Sequence, residues 1–402
     1  MTRPWSLIWL GPTTSRQPVR ELLARRIRDS LIPTGPLTLT YKAKYGATKL
    51  SCGGQKAPEG PFGFPSNRDV VYDGMSAENS SHSTFVFCGF PALDERRWVL
   101  APPLATTSVL ALLGNVLLVY VIASVERLHS PMYLLICALC LVDLLAVAAI
   151  IPSTLVGLLV DGTRVSLAGC LAQMFATHFL SSVESTLLMA MALDRYVAVC
   201  RPLRYKQLLG RRALVTLTLF TLARSGAVMA TLVGLAGSLR FCASDVIRHC
   251  YCDHMALVSL ACGDTGRSAA AGVAVIVCFV GVDIPLIVFS YAKILVAVVR
   301  AAAPGDERRK AFHTCGTHLM VMTVFYLVGS VTFLSHNLGL AIPTDANSAM
   351  GLLYILTPAA ANPVIYGVRT AEIRNGVCSL LGFRDATKAK TKGKVSPANG
   401  AL

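Results

Sequence analysis

The chain has 402 residues, of which 54% are hydrophobic and only 15% charged, and its formal net charge is +15. So few charges cannot coat a soluble protein of this size, and apolar blocks of roughly twenty residues or more point to several membrane crossings. The basic residues lie between those blocks rather than on one polar domain, so the charge does not indicate a nucleic-acid partner.

The first 74 residues carry 11 Lys/Arg against 5 Asp/Glu. They lack the apolar core of a signal peptide, Trp5–Leu10 being too short. Residues 1–74 are expected to be a disordered extension or a gene-model artefact, with Met75 a natural start. Residues 75–98 then form an outside segment bearing the glycosylation sequon Asn79-Ser80-Ser81.

Seven spans follow by hydropathy: Val99–Ala123, Met132–Leu158, Ala168–Val199, Ala213–Gly237, Ser268–Val299, Ala311–His336 and Ala346–Val368. Ser330, Thr332, Ser335 and His336 dilute the sixth. Pro358 and Pro363 are expected to interrupt the seventh, a break that survives only where protein or water satisfies the freed backbone. Residues 369–402 form a tail in which Ile373, Val377 and Leu380/Leu381 make one apolar face beside basic residues, as in an interfacial helix, with Cys378 open to palmitoylation. The expected fold is an all-α membrane protein: a seven-transmembrane helix bundle (99–368) with a short amphipathic C-terminal helix.

Short loops give the direction. Arg201, Arg204, Lys206, Arg211 and Arg212 follow span three; Arg300, Arg308, Arg309 and Lys310 follow span five. After span four, Arg240, Arg248 and Arg267 are matched by Asp245, Asp253 and Asp264. The positive-inside rule puts the C-terminus in the cytosol and the N-terminus outside, a multi-pass protein of the plasma membrane in contact with its lipid.

Of 13 cysteines, Cys170, Cys242, Cys250, Cys252 and Cys262 fall on the outer side, where oxidation permits pairing. One reading staples the loop after span four to span three, with a second bridge inside the loop and Cys250 left over. The alternative is a zinc or copper site in His249-Cys250-Tyr251-Cys252-Asp253-His254, whose thiolates and imidazoles suit those metals.

Asp143, Glu184, Asn115 and Asn362 lie inside spans. Such groups either pin helices together by hydrogen bonds or form a cation- or proton-linked switch. Met191–Tyr205 (MALDRYVAVCRPLRY) closes span three. There Asp194 can hold Arg195 in one state and release it in another, beside Tyr196, with Tyr291 and Tyr366 as phenolic partners. Asn362-Pro363-Val364-Ile365-Tyr366 closes span seven.

Together with Gly114-Asn115, Leu128–Tyr133 (LHSPMY), Ser290-Tyr291 and Lys310–Leu319 (KAFHTCGTHL), these motifs resemble the vertebrate odorant receptors of the rhodopsin-like G-protein-coupled receptors. Tyr251–Met255 and the Tyr366–Arg374 ending resemble the class I, fish-like subgroup. The resemblance implies Cys170–Cys252 and Cys242–Cys262 disulfides and a stimulatory, olfactory-type G protein that raises cAMP. It also implies an outer pocket for a small odorant, with His178 facing the ligand and Ser181, Ser182, Val275, Phe279, Tyr326, Ser330 and Phe333 as further lining candidates. Class I receptors that bind carboxylic acids read His-Arg at the outer end of span six. Here the sequence reads His336-Asn337, without the guanidinium fork a carboxylate would use, which favours neutral or amphiphilic odorants.

No nucleophile elbow, phosphate loop or HExxH supports an enzyme, and no cofactor or resident metal is called for. The absence of repeated halves argues against a secondary transporter. The alternative that remains is a non-olfactory chemosensory receptor on the same scaffold.

Overall fold

The computed structural model describes residues 81–300, 305–337 and 342–380, of which Asp94, 305–311 and 330–337 are described by their backbone alone. The expectations for residues 1–74 and for Asn79 fall outside this range, as do the side chains of Ser330, Phe333, His336 and Asn337.

Prolines and small polar residues set where the long helices begin. α1 (Ala101–Ser124) opens on Pro102-Pro103 and α2 (Pro131–Leu159) on Pro131; a proline in the first turn forfeits only an N–H that has no partner there anyway. α3 (Leu167–Cys200) is capped by Ser166, whose Oγ accepts from Gly169 N at 3.1 Å. α4 (Arg211–Gly237), α5 (Gly266–Arg300), α6 (Gly305–Asn337) and α7 (Thr344–Arg369) complete the bundle, and α8 (Ala371–Leu380) follows it. The seven long helices run from 24 to 35 residues, about 36–52 Å, enough to cross an apolar layer of about 30 Å.

Among the described residues, five of these helices also pass as spans by composition; α3 and α6 do not. α3 can afford its polar residues because it packs against α2, α4, α5 and α6 and needs little lipid-facing surface. On the other helices, Leu110, Leu113, Leu145, Val277 and Val288 point outward, as side chains in lipid contact must.

One expectation needs correction. Span seven is not broken: α7 runs through both Pro358 and Pro363. Pro363 has no N–H for the carbonyl of Ala359, and Asn115 of α1 supplies one, its Nδ2 lying 2.8 Å from that oxygen. Gly114 permits the approach, since a Cβ there would stand 2.8 Å from Pro363 Cβ.

The all-α expectation holds for the bundle, and a few short strands cover one end of it. At the end where α3 begins, β1 (Thr84–Phe87) lies between β2 (Arg164–Ser166) and β4 (Val246–Ile247), while β3 (Arg240–Phe241) pairs with β5 (Ala261–Cys262). β1 is antiparallel to β2 with Thr84 opposite Ser166, and parallel to β4 with Val86 opposite Val246. Loops folded over a bundle bury backbone groups that must find partners, and short ladders provide them.

The core at the opposite end joins Val121 and Ile122 of α1, Ile136 and Leu139 of α2, Leu188 and Met191 of α3, Phe325 of α6 and Tyr366 of α7. Ile373 of α8 is fully buried in the same cluster, and Gly376 lets α8 lie against Val121, where a Cβ would come within 2.9 Å.

Candidate functional site

A buried ion pair lies at mid-depth in the bundle. Arg224 of α4 donates through Nη1 to Asp283 Oδ1 of α5 at 2.9 Å, and through Nη2 to the carbonyl of Cys278. Ser185 of α3 donates to Asp283 Oδ2 at 2.7 Å, and its hydroxyl lies 2.9 Å from Tyr326 OH of α6. The Arg224 guanidinium also stacks 4.2 Å over the Phe279 ring. Asp283 is fully buried, so each charge relies on the other in place of water. One polar cluster thus joins four helices.

Phe279 and Tyr326, expected as pocket lining, sit in this cluster. Arg224 and Asp283 were missed although the signal was visible, each being a lone charge well inside an apolar span.

Nearer the α1–α2–α7 side, Asn362 Nδ2 donates to Asp143 Oδ2 at 2.8 Å, and both side chains are buried. Glu184 is buried too. Asn115 spends its amide on the carbonyls of Ala111 and Ala359, while its Oδ1 has no partner among the described residues.

At the α3 C-terminus, Asp194 holds Arg195 through Nε at 2.9 Å and through Nη2, and accepts from Tyr205 OH at 2.7 Å. Asp194 is fully buried. Burial raises the Tyr205 phenol well above its usual range, and the bond to Asp194 adds to it, so this phenol remains a donor. The arginine is therefore held, not free. Tyr291 OH is buried without a partner among the described residues, Tyr366 OH lies 3.4 Å from His318 Nδ1, and Tyr196 packs near Phe289. Beside this lock, Leu203 is 98% exposed between Arg201 and Arg204.

At the other end, Cys170 of α3 is joined to Cys252 and Cys242 to Cys262, while Cys250 is a free, buried thiol. Cys252 is thereby withdrawn from the metal reading of His249–His254. Gln173 of α3 tightens the arrangement: its Nε2 donates to Ser153 Oγ at 2.7 Å and its Oε1 accepts from Cys252 N at 3.0 Å. Sequence reasoning did not single it out, since a glutamine one turn after a cysteine carries no distinct signal.

Beside this loop lie two histidines whose ring nitrogens, His178 Nδ1 of α3 and His254 Nε2 of the loop, have no hydrogen-bond partner among the described residues. Ser181 is half-buried, Ser182 donates to its own helix at Phe179 O, and Val275 packs on Phe279. A neutral imidazole offers one donor and one acceptor, so this region can hold a hydroxyl or carbonyl.

Burial pushes the His254 pKa down to about 4, with His178 adding to the shift and Asp253 opposing it. The unfolded value is about 6.5, so below that pH the unfolded chain takes a proton that the folded loop refuses. Stability is thus complete above about pH 6.5 and declines as pH falls towards 4, by about 3 kcal/mol over the window. Thermal inactivation of purified receptor should come earlier at about pH 5 than at about pH 7. The gap should narrow in His254→Gln; an equal gap there would remove burial of His254 as its cause.

Known proteins carry the same pattern. A family model described as olfactory receptor matches residues 104–383. Olfactory receptor 52D1 of Homo sapiens is 37% identical over 310 residues, which is 77% of this chain and 97% of that one. Olfactory receptor 51E2 of Rattus norvegicus is 37% identical over 307 residues, covering 76% and 96%. These 51 and 52 relatives fit the class I expectation. A crystal structure of squid rhodopsin superposes with a TM-score of 0.59 at 15% identity, covering 76% of this chain and 93% of that one. The chain belongs to the olfactory receptor family: it is a multi-pass membrane receptor for odorants on the rhodopsin-like seven-helix fold.

Proposed function

We propose that the receptor takes small neutral or amphiphilic odorants at the disulfide-bonded end, among His178, Ser181, Ser182 and Val275, and signals through a stimulatory G protein that raises cAMP. The observation that carries the coupling half is the lock at the far end of α3. Asp194 clamps Arg195 beside a fully exposed Leu203, flanked by Arg201, Arg204 and Lys206. An exposed leucine ringed by cations suits a partner with an apolar socket and an acidic rim.

The positive-inside rule supports placing this basic end in the cytosol and the disulfides outside. Release of Arg195 towards Tyr291 and Tyr366 is the proposed active state, with the Asn115, Asp143, Glu184 and Asn362 region repacking alongside α7. On the cytosolic side, Leu380, exposed where Ile373 and Val377 pack on the bundle, would rest α8 on the lipid surface.

The test is cAMP in cells expressing residues 1–402 and, in parallel, 75–402, challenged with an odorant panel. A ligand-dependent rise is expected, lost in Arg195→Ala and reduced roughly tenfold in potency or more by Leu203→Asp, a charge placed in an interface core. A rise that survives Arg195→Ala at equal surface density sinks the switch. A well-exposed receptor that raises no cAMP sinks the stimulatory coupling.

A further inference from the structure

A segment outside the helix bundle is ordinarily loose unless something ties it down. Ser81–Leu93, which precedes α1, is tied along its length. Ser81 Oγ accepts from Phe241 N at 3.0 Å, and His82 N donates to Phe241 O at 2.7 Å. Val86 N and Cys88 N donate to Asp245 O and Ile247 O, both at 2.8 Å, and Leu167 N donates to Ser83 O at 2.8 Å.

Phe85 is fully buried, edge-on to Phe241, in a cluster with both cysteines of the Cys170–Cys252 bridge. Beyond the strand, Gly89 passes so close to Cys250 that a Cβ would lie 2.7 Å from its Cβ and 2.8 Å from its Cα. Phe90 shares a buried cluster with Cys250, Tyr251, Leu352 and Ile355, and Ala92 N reaches Asp345 Oδ1 of α7 at 3.1 Å. Among the described residues the flanking strands β2 and β4 are joined through β1. The segment therefore runs from the α4–α5 loop to the top of α7 and couples the loops that carry β2 and β4.

We infer that Ser81–Leu93 is a positioning strap of the receptor: it holds the α4–α5 loop, with His254, over the helix ends and slows the exit of ligand. This rests on the odorant site proposed above. A central strand cannot leave without unpairing both neighbours, and Gly89 and Phe90 close the gap that the two loops leave near α7. Cys250 reports on the strap, since it lies directly beneath it. Burial raises its thiol to about 12, and a covered, protonated thiol is inert.

The experiment treats intact cells bearing the full chain with a membrane-impermeant methanethiosulfonate reagent and reads labelling that disappears in Cys250→Ser. Val86→Pro deletes the donor to Asp245 and should speed this labelling about tenfold or more, because local opening sets the rate. Asp345→Asn frees only the far end, leaves the strand intact and should speed it about twofold to threefold; it serves if Val86→Pro fails to reach the surface. The same cells receive a homologous series of straight-chain alcohols and aldehydes, with washout. Faster decay of the response, by roughly fivefold in Val86→Pro, is expected because loosened contacts act mainly on the off-rate.

Labelling as slow in both variants as in the parent, at equal surface density, overturns the strap. Fast labelling with unchanged potency and decay overturns its part in ligand retention. If the parent answers none of the probes, the ligand reading fails, and the labelling rates still decide whether the segment is a cover.

Discussion

Arg224→Leu should cost the receptor about 3–5 kcal/mol, because removing one partner of a buried ion pair strands the other. Asp283 would be left fully buried, keeping a hydroxyl donor from Ser185 at 2.7 Å but no counter-ion. A loss of that size rivals the whole stability of many domains, about 5–15 kcal/mol, so little receptor should reach the surface. Asp283→Leu should be as damaging, since it leaves the guanidinium only neutral partners: the Phe279 ring, Thr186 Oγ1 and the carbonyl and sulfur of Cys278. The double replacement should be far milder than the sum, as apolar pairs of similar volume often substitute for buried ion pairs. Surface density and thermal inactivation of the four receptors form a mutant cycle. Additive losses would mean that the two charges do not rely on one another.

Cys252→Ser comes second in size. The Cys170–Cys252 bridge closes 82 residues of sequence and Cys242–Cys262 closes 20. On chain-entropy grounds the longer closure stabilises by about 4.5 kcal/mol and the shorter by about 3 kcal/mol. Cys252→Ser should therefore lower surface receptor and ligand response more than Cys262→Ser does. The longer bridge also carries the backbone N–H that Gln173 receives, so its loss loosens α2 and α3 along with the loop. Matched surface and response measurements on the two variants check the order, and an equal or reversed ranking would show that closure length does not govern it.

The helices were legible because a membrane span is a composition before it is a shape. Span two was expected at Met132–Leu158 and runs Pro131–Leu159; span five was expected at Ser268–Val299 and runs Gly266–Arg300. The tail helix was legible from the spacing of Ile373, Val377 and Leu380. Pairings were much less legible. Arg224 and Asp283 are 59 positions apart and each looks like an isolated anomaly. Only the packing of α4 against α5 on the face of α3 makes them a pair. Thr84–Phe87 is four residues long, too short to stand out as a strand, and its partners lie far along the sequence. The prolines of α7 misled for a related reason: a break was inferred from what the helix loses, whereas the replacement donor, Asn115, belongs to another helix.

The place of β1 has a consequence for synthesis. Its residues leave the ribosome before every span, yet their partners are Arg164–Ser166 and Val246–Ile247, and Ala92 finds Asp345 only when α7 has been made. Contacts of such sequence separation form late and slowly. A strand made before every span is thus among the last elements to settle. A chain truncated or stalled before the end of α4 would hold Phe85 without the Phe241 cluster that buries it. That exposed aromatic strand would mark the nascent receptor as unfinished until the α4–α5 loop has folded back on it.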